Sequence, residues 1–411
     1  MTQAAERLPA YSLFAALLSA AGLPIYIHAP KFYVDEYGVS LAALGAVLFG
    51  LRLLDVVQDP LLGKLSEKMR DRRAICVTIG CAVIAVAMIG LFAIPPLLSP
   101  LVWFGLTLTL VFSAFSFLTI NFYAQGVLKA ARLSGQGHLK LARWRESGAL
   151  IGVCIAAVAP VALAAYVASP FAWFAAGFCC LALLAALVMG QEWSSAGTPP
   201  ATGFGTVLKD KLARRLLLIA LVNAAPVAVS STLFLFFVES RLDAPGLEGP
   251  LLLVFFLSAA VAAPVWGSLA ERFGARDVLI LAMILAICAF GLTLTLGPGD
   301  WVLFAIICVA SGATLGADLT LLPAIFAQRL AQISPSAAEG FGLWSFVSKL
   351  TLAFAAVTLL PLLERAGFQS GAASNNPEDT LVLLALLYAA VPCALKLVAV
   401  ALLAVTNLRE V

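Results

Sequence analysis

One apolar stretch of this chain, LGAVLFGLRLLDVVQDPLLG, carries Arg52, Asp55 and Asp59 at i, i+3 and i+7. That spacing places a cation and two acids on one face of a helix. Two carboxylates a turn apart either give oxygens to a small hard cation such as Na⁺ or share protons, because burial and mutual repulsion disfavour two charges side by side. Gln58 offers a further carbonyl oxygen. A purely structural reading has Arg52 neutralise Asp55 and Asp59 cap a kink at Pro60, which accounts for the first acid but not the second. The chain shows no nucleophile–base pair, no metal-ligand cluster and no phosphate-binding glycine loop. It therefore does not read as an enzyme, and neither a cofactor nor a metal is expected beyond Na⁺ at Asp55 and Asp59.

Other ionisable groups interrupt apolar runs, where each costs at least about 2.5 kcal/mol at a bilayer centre unless paired or hydrated. Lys349 lies deep in FGLWSFVSKLTLAFAAV, and Arg145 opens WRESGALIG. Partners for Lys349 are the two acids across a central cavity, or an anionic or polyhydroxy solute. Arg145 has the same acids, the same solute, or its neighbour Glu146 with water at the cytoplasmic edge. Asp318 and Lys396 are read as structural. Asn121, Tyr123, Gln125, Asn223, Ser230 and Ser231 either bond a solute or join helices, and Asn121 is the best placed. With Tyr26 and Ser19 of the first run, Asn121, Arg145 and Lys349 make up the candidate substrate cavity. His28, near Pro30, reads as interfacial.

These groups need helices to hold them. The chain has 411 residues, 62% hydrophobic and 11% charged, which excludes a soluble globular protein. Spans of about 20 residues fit at roughly 9–30, 41–64, 74–95, 100–128, 141–168, 170–190, 215–238, 249–270, 277–297, 301–328, 340–364 and 380–407. The first begins without a basic leader or cleavage site and reads as a spanning helix. Loops on one side carry clusters such as Lys64, Lys68, Arg70, Arg72 and Arg73, whereas the opposite loops carry Lys31, Arg241 and Arg365. By the positive-inside rule both termini are cytoplasmic, at an inner (plasma) membrane. A net charge of +3 with no basic patch gives no footprint for nucleic acid. The expected partners are the lipid bilayer and a small-molecule substrate, with a monomer sufficient. The eight cysteines lie in or beside apolar runs and read as packing residues.

The chain is also duplicated. Pro60-x-x-Gly63-x-x-x-Glu67 recurs as Pro264-x-x-Gly267-x-x-x-Glu271, and Tyr123-Ala124-Gln125 faces Phe326-Ala327-Gln328. The offsets, 204 and 203, are about half the chain. The polar segment from Gln191 to Asp210 lies at the midpoint, so the expected organisation is an N-terminal six-helix bundle at 1–190, a cytoplasmic linker at 191–213 and a C-terminal six-helix bundle at 214–411. Glycine allows close helix approach, and the acids with nearby bases can form bridges that break and reform. Gly63, Glu67, Arg72 and Arg73, with Gly267, Glu271 and Arg276, are the candidate conformational gate. The acids are not duplicated: the positions matching Asp55 and Asp59 are Ala259 and Ala263, which points to an ion site in the first half.

The repeated loop element resembles that of the major facilitator superfamily. YVDEYGVSLAALGAVLFGLRLLDVVQDPLLG, Arg145 in WRESGALIG and Lys349 in SKLTLAFA resemble one branch of it, the melibiose-permease-like glycoside–pentoside–hexuronide:cation symporters. The resemblance implies an all-α membrane protein of the major facilitator fold, twelve transmembrane helices in two pseudo-symmetric bundles that rock about a central site. It further implies a secondary transporter working by symport, with Asp55, Asp59 and Gln58 at the coupling cation, Lys349 bridging toward the acids and Arg145 near the substrate. Departures narrow it. Ser19 and Asn121 stand where the family binds galactosides with acids, and Leu118 stands where a hydroxyl would help hold Na⁺. A sugar-like or amphipathic solute coupled to H⁺ or Na⁺ is the resulting expectation. The alternatives are a proton-driven exporter of a metabolite, drug or lipid-like solute and a non-transporting membrane sensor or assembly protein.

Overall fold

The computed structural model describes residues 7–133, 136–193, 203–334, 336–369 and 376–407, and every regular element among them is helical. Fifteen α-helices follow in chain order: α1 (Leu8–Ala20), α2 (Leu23–Tyr37), α3 (Leu41–Lys68), α4 (Arg73–Phe92), α5 (Pro100–Ala130), α6 (Gly137–Leu163), α7 (Pro170–Met189), α8 (Phe204–Lys209), α9 (Lys211–Phe236), α10 (Glu248–Phe273), α11 (Ala275–Gly291), α12 (Trp301–Ile333), α13 (Ala338–Arg365), α14 (Glu378–Ala385) and α15 (Val391–Ala404). A π-helical turn at Leu386–Ala390 joins α14 to α15.

Among the described residues ten helices are long and apolar enough to cross a bilayer, from Arg70–Phe92 to Glu378–Ala404. The 28-residue α3 spans about 42 Å at 1.5 Å per residue. The first expected span is instead two helices. The chain leaves α1 at Ala21, and α2 restarts after Gly22 with a proline in its first turn, where the ring lacks no needed N–H. This is a twelve-span, all-helical membrane architecture whose first span is broken. Of the segment expected as a linker, 194–202 lies outside the described residues; the remainder includes α8 and runs directly into α9.

The chain forms two compact units. One comprises Met1–Asp210 with Ala327–Phe346, the other Lys211–Phe326 with Val347–Val411. The ends of α12 and α13 that flank Ser334 therefore belong to the first unit.

In the first unit α1 packs on α6 and α7, and α5 on α3 and α4. Gly148 and Gly152, one turn apart on α6, lie against Ser12 and Ala16 of α1, and a Cβ at Gly152 would stand 2.5 Å from the Ala16 carbonyl oxygen. Aromatic rings close the interior: Phe122 stacks on Tyr11 at 5.6 Å, and Phe14 meets Trp193 at 5.3 Å. In the second unit α15 packs on α9 and α11. There Gly312 and Gly316 of α12 admit the backbone of α10 at Phe255 and Ala259. Phe237 stacks on Tyr388 at 4.2 Å.

These four glycines fix helix separation, since backbones approach closely only where the side chain is absent. Gly148→Ala and Gly312→Ala should each destabilise the protein by about 1–3 kcal/mol through overpacking. Gly177→Ala, where nothing lies within 4 Å of the added Cβ, should leave the thermal midpoint unchanged or slightly raised. Thermal unfolding of the purified variants distinguishes the two classes.

Candidate functional site

Ser40 caps α3 by accepting the Ala43 N–H at 3.2 Å, and the helix then runs unbroken through Pro60. Its two faces are opposite in kind. Asp55 is 3% exposed and Asp59 0%, whereas Val57 is 65% exposed and Leu61 63%. The acids point inward and the apolar residues outward, which is the reverse of a soluble helix and suits lipid.

Two neutral side chains bond the acids, and a third orients one of those two. Gln58 donates from Nε2 to Asp55 Oδ1 at 2.7 Å, and Ser113 Oγ of α5 donates to Gln58 Oε1 at 2.9 Å. Ser345, near the start of α13 and within the same unit, donates to Asp59 Oδ2. Gln58 is thus oriented from α5 and in turn orients Asp55. Two buried carboxylates one turn apart, bonded to an amide and a hydroxyl with a second hydroxyl behind the amide, form an oxygen-rich set suited to a small hard cation or a shared proton.

A second tie lies two turns further along. Ser66 Oγ donates to Asn121 Oδ1 at 2.7 Å, and Asn121 Nδ2 donates to the Phe117 carbonyl at 2.9 Å. Gln58 to Ser113 and Ser66 to Asn121 are both separations of 55 residues, so α3 and α5 run in the same direction in fixed register. Asn121, expected in the substrate cavity, is 1% exposed; its oxygen joins the two helices and its amide N–H is spent on its own helix.

Arg145 has its partners inside the first unit. Its Nε bonds Glu146 Oε1 at 2.7 Å, its guanidinium lies 3.8 Å over the Tyr123 ring, and Tyr123 donates its hydroxyl to the same Glu146 oxygen at 3.3 Å. Its Nη2 is buried with no hydrogen-bond partner among the described residues. Ser19 is half-buried near the end of α1, Lys349 is half-buried in the second unit, and the side chain of Tyr26 lies outside the described residues.

The expected gate residues differ between halves. Gly63 lies against the start of α13: a Cβ there would stand 3.1 Å from the Ala338 carbonyl oxygen and 3.2 Å from Gly342 Cα. Glu67 is buried and accepts from Arg70 at 3.4 Å. Arg73 donates to Gln125 Oε1 at 3.1 Å, while Arg72 is exposed in the turn before α4. In the second unit Gly267 is buried, but Glu271 is exposed and Arg276 donates to the last carbonyls of α15 at Leu403 and Ala404. That arginine satisfies helix-end oxygens that have no intrahelical donor.

Sequence reasoning missed Ser113 and Ser345. Ser345 precedes Lys349 by one helical turn on the same face, which was a usable signal; a lone serine in an apolar helix such as Ser113 gives none. It also left Asp318 and Lys396 without assigned partners. They bind each other: Lys396 Nζ donates to Asp318 Oδ2, and to Asn223 Oδ1 at 2.7 Å. The expected hydrogen-bonding residues Ser230 and Ser231 each donate to the Val227 carbonyl of their own helix.

Comparison with curated proteins finds no match. Among solved structures, a bacterial homologue of the iron transporter ferroportin in its outward-facing state matches with a TM-score of 0.70 over 97% of this chain and 98% of that one. At 14% identity that likeness speaks for the fold. The family model described as "MFS/sugar transport protein" matches residues 10–410, nearly the full length. With its helical membrane architecture and paired half-chains, the chain belongs to this family of the major facilitator superfamily and is a membrane transporter.

Proposed function

We propose that this transporter is a cation-coupled symporter of the melibiose-permease-like branch, carrying a small sugar-like or amphipathic solute by alternating access, with H⁺ or Na⁺ loaded at Asp55 and Asp59. The supporting observation is the pair of acids at 3% and 0% exposure, bonded by Gln58 and Ser345. Loading one cation or proton changes the charge of this stripe by one unit. A unit charge at the centre of a membrane helix is worth at least about 2.5 kcal/mol, so the conformations open to α3 depend on whether the ion is bound. Leu118, which stands where the resemblance expects a hydroxyl for Na⁺, is fully buried on α5 and packs against Gly80 of α4, which suits the proton at least as well as Na⁺.

Liposomes containing the purified protein, offered glycosides, uronates and lysophosphatidylcholine under an imposed Na⁺ or H⁺ gradient, test the reading. Accumulation of one solute down one ion's gradient is expected, with a loss of at least about tenfold in Asp55→Asn and in Asp59→Asn, the scale of one charge interaction. Undiminished gradient-driven uptake in the double variant overturns the assignment. Efflux driven by inward protons would instead mark an exporter.

The contact of Gly63 with Gly342 supports a second part of the reading, that α3 and the start of α13 close together at the cytoplasmic end and part during the cycle. Gly63→Leu and Gly342→Leu should each weaken this closure. Hydrogen exchange in residues 338–346 is then faster than in the parent protein and transport is slowed. Unchanged exchange together with unchanged transport counts against a gate at this position.

A further inference from the structure

The second unit holds a cleft of about 500 Å³, counted with its open mouth, formed by α9, α10, α11, α12 and α15. Asp318 and Lys396 both line it, and they are 9% and 5% exposed. Lys396 has committed two of its ammonium hydrogens, to Asp318 Oδ2 and Asn223 Oδ1. Asp318 Oδ1 is buried and has no hydrogen-bond partner among the described residues. A buried carboxylate oxygen without a donor is costly, and the residue that carries it lines the cleft.

The remaining polar wall has the same bias. Ser230, Ser311 and Thr314 line the cleft, and each spends its hydroxyl hydrogen on its own helix. Ser311 donates to Ile307 at 2.6 Å, Thr314 to Ser311 at 2.8 Å and Ser230 to Val227 at 3.3 Å. What the hydroxyls leave for a ligand is oxygen lone pairs. Phe255 and Phe290 add aromatic surface.

We infer that this cleft is a binding site for a neutral amphipathic molecule that bears hydroxyl donors on an apolar or aromatic body. The donors follow from the surplus of acceptors. Neutrality follows from the Asp318–Lys396 pair, whose charges already cancel, so that a charged ligand would bring an uncompensated charge into a buried site. The apolar body follows from the aromatic walls. The inference does not depend on which ion the first unit takes, or on whether it takes one.

A matched series built on one phenyl ring tests all three features with the full-length protein: 1-phenyl-1,2-ethanediol, its methyl ethers, phenylacetate and phenethylamine, titrated by saturation-transfer NMR and by thermal shift. The diol is expected to bind about tenfold or more tightly than the other three, the cost of leaving a polar group unpaired. Ser311→Leu, which fills the cleft without touching the ion pair, should abolish diol binding with the unliganded thermal midpoint retained. Asp318→Asn keeps the shape, turns the unpartnered acceptor into a donor and leaves the lysine charge exposed to the cleft. Preference should then reverse from the diol to phenylacetate. That reversal is not something a merely structural ion pair would produce. Equal binding of the diol and either ion by the parent protein, diol binding that survives Ser311→Leu, or no binding by any member overturns the inference.

Discussion

Every polar group in this protein's interior answers to one constraint: within a bilayer there is no water to satisfy a charge, so an ionisable side chain must find its partners inside the fold. Helix α3 shows the result. Its buried stripe holds Asp55, Asp59, Gly63 and Ser66, and its exposed stripe holds Val57 and Leu61. Reversing the usual distribution leaves the acids dependent on neighbouring helices. Gln58 and Ser113 serve one acid, Ser345 the other. Register follows from the same demand, because the Gln58–Ser113 and Ser66–Asn121 ties hold α3 against α5 at two levels. A one-residue slip would rotate these groups by about 100° and break both ties.

The two halves descend from one plan, yet their interiors solve the packing problem differently. Shifted by 204, Asp55, Asp59 and Ser66 become Ala259, Ala263 and Ala270. Shifted by 203, Ser113 and Asn121 become Gly316 and Ala324. In the second unit Gly316 lies directly on α10, where a Cβ would stand 2.8 Å from the Ala259 carbonyl oxygen. Small residues on both helices allow the backbones to approach and leave no polar group to satisfy. In the first unit the matching positions keep larger polar side chains that bond to one another. Polarity in the second unit has moved to α12 and α15, where Asp318 and Lys396 meet beside a cleft.

The fold and the outline of the first site were legible because both are written in local pattern. Apolar runs of spanning length located the helices, and the i, i+3, i+7 spacing located the acids on one face. The duplication was visible in two short elements. What could not be read were contacts that depend on which helices become neighbours. Nothing in the composition of α1 announced that it breaks at Gly22, since Pro24 is tolerated equally at a helix start and in a kink. Nothing local paired Asp318 with a lysine 78 residues away. Asn121 was singled out for the substrate cavity, whereas its bond to Ser66 follows from the register of α3 on α5, which the sequence of neither helix contains. Glu67 and Glu271 occupy the same motif, yet one is buried and the other exposed. A repeated motif specifies backbone geometry more firmly than it specifies what surrounds a side chain.

The contrast between the two polar centres bears on how coupling works. Asp318 and Lys396 sum to zero, so the second centre presents the same net charge before and after it takes a neutral ligand. The stripe on α3 changes charge whenever a cation or proton joins Asp55 and Asp59. With the two proposed sites taken together, and if the cleft's neutral ligand is the solute, the first unit senses the ion electrostatically and the second senses the solute through shape and hydrogen bonding. Coupling between them is then a free energy carried by the conformational equilibrium and not by charge pairing of ion with solute. Linkage makes it reciprocal: whatever factor the ion contributes to solute affinity, the solute returns to ion affinity. The two sites influence each other only to the extent that each binds one conformation better than the other. The close glycine contact of α3 with the start of α13, next to Asp59 in the same helix, is the element in the first unit that a change of charge at the acids is best placed to bias.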